Sequence, residues 1–319
     1  FAHRLDRETE LRLLEPRYAG ELFALVDQNR EYFSQWLTWV PACQGVEDRR
    51  QFLQRYLLET AEHGNFLAGI WHGGVLTGVA GLNAVHRRDH TASLFYWLGE
   101  EFQGKGLVTQ ACRAIISHAF TTLQAHRVEI YAVTENTRSR RVAERLGFHH
   151  EGTQREAYRL NERYHDLETY ALLAQEWEPR GEIAFAYPLT EDAELRLLLP
   201  HYAEEIFALV EQNREHLRWM TFTEHTRGVE DIQAFVRHTL RELAEGTGHH
   251  WAIACRGRLV GIIAAGGINT HSQTVEIGYW LAKEFAGKGL MTHAGRAMLT
   301  YLFTTVGLNR LGIRCDVRN

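Results

Sequence analysis

The spacing of apolar residues in the first half of the chain predicts an alternation of strands and helices. Leu22, Leu25 and Val26 recur at the spacing of one helical face. The Gly73-Gly74 pair between two apolar runs is typical of a two-residue hairpin. In chain order we predict a strand at 10–13, helices at 16–28 and 45–62, strands at 66–71, 75–82 and 92–98, a helix from 107, a strand at 128–133, a helix at 136–146, and strands at 149–157 and 164–173. This order predicts an α/β fold of the α+β kind, a mixed sheet with helices on both faces.

The same pattern occurs twice in the chain. Residues 1–33 and 185–217 align without a gap and are identical at most positions. The phrase Glu-Phe-Gln-Gly-Lys-Gly-Leu at 101–107 returns as Glu-Phe-Ala-Gly-Lys-Gly-Leu at 284–290. Because a repeat of about 183 residues is far longer than a solenoid unit, the sequence predicts two whole domains in tandem.

The second copy is shorter than the first. We expect a first domain at 1–176, a linker at 177–184 and a second domain at 185–319. Asn319 lies opposite Asn136, so the last helix and the final two strands of the second domain are expected to be missing. Since such a domain would expose a sheet edge, we expect the native chain to continue for about 40 residues.

Composition and charge argue against several functional classes. The 319-residue chain carries a net charge of −5 without a basic run, which argues against nucleic-acid binding. No stretch approaches the ~20 apolar residues of a membrane-spanning helix, so no membrane partner is expected. None of the cysteines, Cys43, Cys112, Cys255 and Cys315, has a cysteine counterpart in the other copy, and a cytoplasmic, reducing compartment fits best. The 18 histidines include no HExxH spacing, so no metal site is expected.

A glycine-bearing phrase between a strand and a helix carries the clearest chemical signal. In the first copy the strand that ends at Trp97-Leu98 leads to Gln103–Gly106, and a helix follows. Such a turn directs backbone N–H groups and the positive end of a helix dipole to one point, which suits a pyrophosphate. A plain tight turn is the alternative. The recurrence of the phrase with the same neighbours, including Thr109 and Thr292, favours the anion site.

Two common nucleotide-binding motifs do not match this phrase. A Walker loop needs Ser or Thr after its lysine, whereas glycine follows Lys105 and Lys288. A dinucleotide-binding fold has its glycines after the first strand, whereas here they follow the fourth. An ATPase and a dinucleotide-dependent enzyme are therefore disfavoured.

The chain resembles the GNAT acetyltransferases, and within them the RimJ/RimL-type N-terminal acetyltransferases. Gly104–Gly106 and Gly287–Gly289 match the glycines of the family's coenzyme loop, although its first position is a glutamate here. The segments at 36–39 and 164–166 are also similar to segments of the subfamily. The subfamily run N-x-x-S-x-x-V-x-x-x-x-G-F-x-x-E-G is met by Asn136, Ser139, Val142, Gly147, Phe148, Glu151 and Gly152.

The resemblance implies acetyl-CoA as a cosubstrate, no metal, and direct transfer of the acetyl group to an amine. It also implies a strand splayed after Leu98, with the pantetheine arm lying in the gap as a pseudo-strand. The residues implied in coenzyme binding are Trp97, Leu98, Gln103, Gly104, Lys105, Gly106, Leu107, Val108, Thr109 and Asn136 in the first domain, and Leu281, Ala286, Gly287, Lys288, Gly289, Leu290, Met291, Thr292 and Asn319 in the second.

Three residues are implied in catalysis in the first domain. Ser139 occupies the position of a proposed acid for the coenzyme thiolate, but it would also lie in the first turn of a helix capped by Asn136. Some relatives have a base glutamate on the penultimate strand, where this chain has Tyr158. Glu156 is expected two residues earlier on the same face. Either Glu156 or a water molecule is the base, or the first domain is a weak catalyst.

The two copies differ around the expected acceptor pocket. Phe95 of the first copy replaces Gly278 of the second, and could reshape the pocket. Ser93 replaces Glu276, which removes a carboxylate from the first copy near the presumed acceptor. The two domains are therefore expected to differ in acceptor or in competence.

The expected acceptor is a primary amine, either a peptide N-terminus or a small molecule such as an aminoglycoside or a polyamine. Trp36 and Trp39 would border its pocket, and core packing is the alternative for both. Because Phe95 and Tyr158 depart from the family pattern, a module that binds acyl-CoA without turnover is the competing hypothesis. The copies are expected to pack as a pseudo-dimer within a monomer.

Overall fold

The chain folds into two units, each built on a mixed β-sheet of its own. The computed structural model describes residues 2–86, 88–178, 183 and 185–315. The units divide between residues 183 and 184. The first contains an eight-stranded sheet and the second a six-stranded sheet, so the predicted α/β fold class, two mixed sheets with helices, is confirmed.

The first unit contains the strands and helices that the apolar pattern predicts, with two additions. Its elements are β1 (His3–Arg4), β2 (Thr9–Leu13), α1 (Ala19–Gln28), α2 (Arg30–Ser34), α3 (Val46–His63), β3 (Phe66–His72), β4 (Val75–His86), β5 (Thr91–Leu98), α4 (Leu107–Thr121), β6 (Arg127–Val133), α5 (Thr137–Arg145), β7 (His149–Leu160) and β8 (Arg163–Leu173). The additions are β1 and α2, both too short to leave a periodic signal in the sequence. A 3-10 turn at Pro16–Tyr18 replaces the first turn of the predicted helix.

The sheet of the first unit splits between its two parallel strands. Its strand order is β1-β2-β3-β4-β5-β6-β8-β7. Parallel pairing of β5 with β6 runs from Thr91 opposite Arg127 to Ser93 opposite Glu129. Beyond Ser93, β5 pairs with β4 on its other side as far as Leu98. The expected opening after Leu98 is therefore wrong, because the strands part directly after Ser93.

The second unit repeats this arrangement over the part of the chain that the structure describes. Its elements are β9 (Ala186–Pro188), β10 (Ala193–Leu197), α6 (Ala203–Gln212), α7 (Phe222–His225), α8 (Val229–Glu245), β11 (Gly248–Cys255), β12 (Arg258–Asn269), β13 (Thr274–Leu281), α9 (Leu290–Tyr301) and β14 (Arg310–Gly312). The strand order is β14-β13-β12-β11-β10-β9. Its parallel pair, β13 with β14, runs from Thr274 opposite Arg310 to Glu276 opposite Gly312.

Helices cover both faces of the first sheet. Leu22 of α1 and Leu53 of α3 share one buried cluster with Leu67 of β3. The preceding residue, Phe66, points to the opposite face because side chains alternate along a strand. There its ring lies 5.1 Å from the ring of His118 on α4. Burial of both faces fits the sequence of β3, whose first six residues are without charge and buried.

In the described part of the chain, no helix is both long enough and apolar enough to cross a membrane.

Candidate active site

The glycine-bearing loop has the same backbone geometry in both domains. Gly104 and Gly106 have φ angles of 76° and 77°, and Gly287 and Gly289 have φ angles of 73° and 79°. These are left-handed values that side chains rarely adopt. An ideal Cβ atom at any of the four positions would meet no atom within 4 Å. Glycine is therefore required by the backbone conformation, and the space above the loop is open.

A helix begins directly after each loop. The first hydrogen bonds run from the N–H of Gln110 to the carbonyl of Gly106, and from the N–H of His293 to the carbonyl of Gly289. The N–H groups ahead of these have no acceptor within the helix, and they gather at its positive end. They belong to Leu107, Val108 and Thr109 in α4, and to Leu290, Met291 and Thr292 in α9. Each domain thus gathers the backbone donors that an anion would need, and anion binding at this place stays a prediction.

A cation is held at each loop. The Nζ atom of Lys105 lies 5.5 Å from the ring centroid of Phe102, and that of Lys288 lies 5.6 Å from that of Phe285. This cation–π contact keeps the ammonium group beside the glycines without neutralising it. A phosphate at the helix end would therefore also meet a positive charge.

The first domain has a second cation at this loop, which the sequence analysis missed. The guanidinium of Arg138 on α5 donates to Oε1 of Gln103 at 2.7 Å. Ala286 replaces Gln103 in the second domain, so this link belongs to the first domain. Asn319 lies outside the described residues.

Along the split, β5 presents backbone groups to a ligand, because its side chains Trp97 and Leu98 pack against the protein. The ring of Trp97 packs at 5.0 Å from Phe33 and 6.0 Å from Trp39, and Leu98 is buried. In the second domain Trp280 packs at 5.8 Å from Phe222, and Leu281 is buried. A ligand in the split would therefore meet unpaired strand backbone, as an added strand does.

Ser139 is joined to the opposite side of the split by Tyr96. The Tyr96 hydroxyl donates to the carbonyl oxygen of Ser139 at 3.0 Å and lies 3.1 Å from its Oγ. Burial raises the pKa of Tyr96, so the phenol is protonated at neutral pH. Asn136 caps α5, since its Oδ1 accepts from the N–H of Ser139 at 3.1 Å. Capping engages the backbone of Ser139 and chemistry would engage its Oγ, so the two interpretations concern different atoms.

The strand that carries Glu156 is irregular. Gln154 pairs with Leu167 and Tyr158 with His165, so a bulge of β7 lies between them. Within it, Glu156 is exposed and has a φ of 52°. Strand alternation therefore no longer places Glu156 and Tyr158 on one face, which corrects the expectation. The role of Glu156 as the base stays a prediction.

The side chain of Tyr158 contacts the backbone of Trp36. The Tyr158 hydroxyl donates to the carbonyl oxygen of Trp36 at 3.3 Å, which ties β7 to the segment that follows α2. The ring of Trp39 packs under the Arg49 guanidinium, whose Cζ lies 4.6 Å from the ring centroid. Trp39 also contacts Trp97, so it is a packed residue. That Trp36 and Trp39 border an acceptor pocket stays a prediction.

Each domain has one carboxylate at the level where its sheet splits. In the first domain this level pairs Ser93 with Glu129, and in the second it pairs Glu276 with Gly312. Paired residues of parallel strands point to the same face. The carboxylate therefore lies at the same position along the sheet in both domains, on β6 in the first and on β13 in the second. The loss of Glu276 from the first copy is thus matched by Glu129. Glu129 was missed because the copies were compared one strand at a time.

The two carboxylates also have partners at equivalent positions. Glu129 accepts from Arg127 Nε at 2.7 Å and from the Tyr131 hydroxyl at 2.6 Å. Burial and the hydrogen bond to Glu129 raise the pKa of Tyr131 to about 12. Glu276 pairs with Arg314, which corresponds to Tyr131, at 2.6 Å. Both carboxylates are partly exposed, with 21% and 53% of their side chains accessible, so each can meet a ligand.

Comparison with known proteins agrees with this geometry. The family model described as "Acetyltransferase (GNAT) domain" matches residues 9–149 and again residues 193–319. YdaF of Bacillus subtilis, named provisionally as a ribosomal N-acetyltransferase, is 35% identical over 179 residues, which cover 56% of this chain and 98% of YdaF. The ribosomal-protein-serine acetyltransferase of Escherichia coli is 30% identical over 168 residues, which cover 53% of this chain and 94% of that protein.

A solved structure extends the likeness to the fold. RimL, the ribosomal L7/L12 alpha-N-protein acetyltransferase in complex with coenzyme A, superposes with a TM-score of 0.53 at 28% identity. The match covers 56% of this chain and 100% of RimL. These relatives each match about half of the chain, which agrees with two domains in tandem.

Proposed function

This chain belongs to the GNAT acetyltransferase family, and we propose that it transfers the acetyl group of acetyl-CoA directly to the α-amino group of a peptide. The observation that carries the proposal is the pairing, in both domains, of a split sheet with a glycine loop at a helix N-terminus. The split offers strand backbone to the pantetheine amides, and the loop offers N–H groups to the pyrophosphate. The residues present therefore fit the coenzyme.

The reaction needs two proton transfers, one to the departing sulfur and one from the amine. Acetyl-CoA supplies a thioester whose carbonyl carbon accepts the amine nitrogen while the carbon–sulfur bond breaks. In the first domain the Ser139 hydroxyl would give a proton to the departing sulfur. The Tyr96 hydroxyl, which donates to the Ser139 carbonyl oxygen and lies 3.1 Å from Oγ, would hold Ser139 in place, and water would return a proton to Oγ. The proton lost by the amine would pass to a water molecule or a carboxylate at the split.

The carboxylate at the split would attract the acceptor in its ammonium form. In the first domain Arg127 bonds both Glu129 and Glu151, so these three side chains together keep one negative charge. This charge beside the thioester end of the split favours a cationic amine.

The acceptor of the first domain is proposed to be a peptide whose first residue is small. RimL is named an alpha-N-protein acetyltransferase, and the Escherichia coli relative is named for serine, which supports an α-amino acceptor on a small residue. The first domain supports this preference because the Phe95 ring, packed against the buried core, takes up room that the glycine of the second domain leaves free. A ribosomal protein as the acceptor would place the reaction in the cytoplasm.

We expect the chain to acetylate a serine-initiated peptide faster than the same peptide with a blocked α-amino group and a free lysine. Mass spectrometry of both peptides after incubation with acetyl-CoA measures the two rates. Transfer to lysine alone, or to neither peptide, would contradict the proposed acceptor. Acetyl-CoA binding without any turnover would instead support the binding module.

Glu129→Gln is expected to lower kcat/KM of the first domain for a peptide by about tenfold to a hundredfold, mainly through KM. The reason is the loss of one charge-assisted hydrogen bond, worth about 1.5–3 kcal/mol, to the ammonium group. Steady-state kinetics over a range of peptide concentrations separates KM from kcat. The matched variant Glu276→Gln leaves the first domain intact, and an equal loss in both variants would argue against a domain-specific role for Glu129.

A further inference from the structure

The second domain contains an apolar cavity beside its split. The cavity has a volume of 510 Å³, within the ~300–1,000 Å³ typical of small-molecule sites. It lies between the helices α6 to α8 and the strands β12 and β13. Its walls include Met220, Phe222, Ile232, Phe235, Gly278 and Trp280. Since these groups are nearly all apolar, the cavity suits an aliphatic or aromatic group.

At two positions that line this cavity, the first domain has larger side chains. Phe95 stands where the second domain has Gly278, and its ring lies 6.3 Å from that of Tyr56. Arg49 stands where the second domain has Ile232. Its guanidinium lies 4.6 Å from the Trp39 ring centroid and 5.2 Å from that of Phe52. Phe95 and Arg49 therefore leave an apolar group less room in the first domain than Gly278 and Ile232 leave in the second.

The residues that pair with Phe95 and Gly278 on the neighbouring strand also differ between the two domains. Phe95 pairs across the sheet with Gly81, and Gly278 pairs with Ala264. A Cβ atom at position 81 would lie 2.2 Å from the carbonyl oxygen of Phe66 and 2.9 Å from the Phe95 ring, so glycine there leaves room for both. In the second domain, where position 278 has no ring, the paired residue is Ala264. In each domain the larger residue on one strand is thus paired with a glycine on the next: Phe95 with Gly81, and Ala264 with Gly278.

The cavity reaches Gly278, which lies close to the point where the sheet splits. Parallel pairing ends at Glu276, and Gly278 is two residues further along β13, which is about 7 Å. Both residues lie on the same face because strand side chains alternate. An added Cβ at Gly278 would meet no atom within 4 Å. An ammonium group at the Glu276 carboxylate could therefore extend an apolar substituent past Gly278 into the cavity.

We infer that the second domain takes amines that carry a bulky apolar group, such as a peptide beginning with phenylalanine or leucine, and that the first domain excludes them. The inference rests on the proposed function and adds a division of acceptors between the two domains. The cavity holds the first side chain of the acceptor, and Glu276 holds its ammonium group. A longer acyl chain on the coenzyme is the other apolar group that would reach this place.

The test isolates each domain within the full chain. Gly106→Val disables the coenzyme loop of the first domain, and Gly289→Val that of the second. Peptides that begin with alanine, leucine or phenylalanine and are otherwise identical are compared by kcat/KM with acetyl-CoA, and by calorimetric Kd in the presence of coenzyme A. In Gly106→Val we expect phenylalanine to exceed alanine by roughly tenfold to a hundredfold, the effect of burying one large side chain. In Gly289→Val we expect alanine to be preferred.

A second variant closes the cavity. Ala264→Gly with Gly278→Phe, in the Gly106→Val chain, reproduces the pair of the first domain, and we expect the ratio of phenylalanine to alanine to fall to about one. A thermal unfolding curve shows whether this variant is folded. If it is not, Ile232→Arg, which fills the cavity from α8, replaces it.

The outcomes separate this inference from the proposed function. Equal Kd and kcat/KM for the three peptides in Gly106→Val would overturn the inference, whereas acetylation of the alanine peptide would leave the proposed function standing. A preference in that chain for longer acyl-CoA, with no preference among peptides, would also overturn it. Selective binding of the phenylalanine peptide without turnover would support the cavity and count against acetyl transfer by this domain.

Discussion

Ser139→Ala is expected to lower kcat of the first domain by about a hundredfold to ten-thousandfold, the usual contribution of a general acid. Its Oγ lies 3.1 Å from the Tyr96 hydroxyl, at the side of the split opposite β5. Without this group, the departing sulfur must take its proton from water. Acetyl-CoA affinity should be unchanged, because the glycine loop and the edge of β5 are untouched. The measurement is steady-state kinetics in the Gly289→Val chain, with calorimetric titration of acetyl-CoA as its companion.

The same variant separates catalysis from helix capping. The cap of α5 uses the backbone N–H of Ser139 and the Oδ1 of Asn136, so alanine at 139 keeps it. Asn136→Ala removes the cap instead, and we expect a lower melting temperature, by the equivalent of about 1 kcal/mol. Should Ser139→Ala lower the melting temperature and leave kcat unchanged, the assignment of Ser139 as the acid would be wrong.

Gly106→Val is expected to remove one of two acetyl-CoA sites, with an affinity loss of about a hundredfold or more at the altered loop. A β-branched residue at a φ of 77° is strained. Its side chain would also project from the loop toward the phosphates, and each charge-assisted hydrogen bond lost there is worth about 1.5–3 kcal/mol. Calorimetric titration of acetyl-CoA gives both the stoichiometry and the affinity.

Matched variants show whether this effect is local. Gly289→Val should remove the other site, and the double variant should bind no coenzyme. Gly20→Ala, in α1, is a control in which an added Cβ meets no atom within 4 Å and φ is not positive. If Gly20→Ala weakened binding as much as Gly106→Val, the loss would reflect general destabilisation rather than the loop.

Much of the fold could be predicted because its signals are local. The helices α3 and α4 and the strands β3 to β5 have clear periodicity, and the Gly73-Gly74 pair adopts the positive φ angles of its hairpin, 59° and 80°. The glycine loop was predictable for the same reason, since a left-handed backbone before a helix leaves a mark in the sequence. Asn136 was likewise predictable as a cap from its residue type and position.

The rest depends on contacts between strands, which no local pattern records. The point at which the sheet opens is set by the pairing of β5 with β6, and it lies at Ser93 rather than Leu98. The bulge around Glu156 has no sequence signature, so alternation was assumed where it fails. The Tyr96–Ser139 contact joins residues 43 positions apart. Comparison of the two copies shows that Glu129 corresponds to Gly312. Only its pairing with Ser93 shows that Glu129 lies where the second domain has Glu276.

Titration of acetyl-CoA into the unaltered protein is the most direct test of the central claim, that both domains are acetyl-CoA-dependent transferases of one family. Two sites per chain are predicted, one at Gly104–Gly106 and one at Gly287–Gly289. The absence of any binding would contradict the account, since every step assigned to Ser139, Glu129 and Glu276 requires the coenzyme beside them.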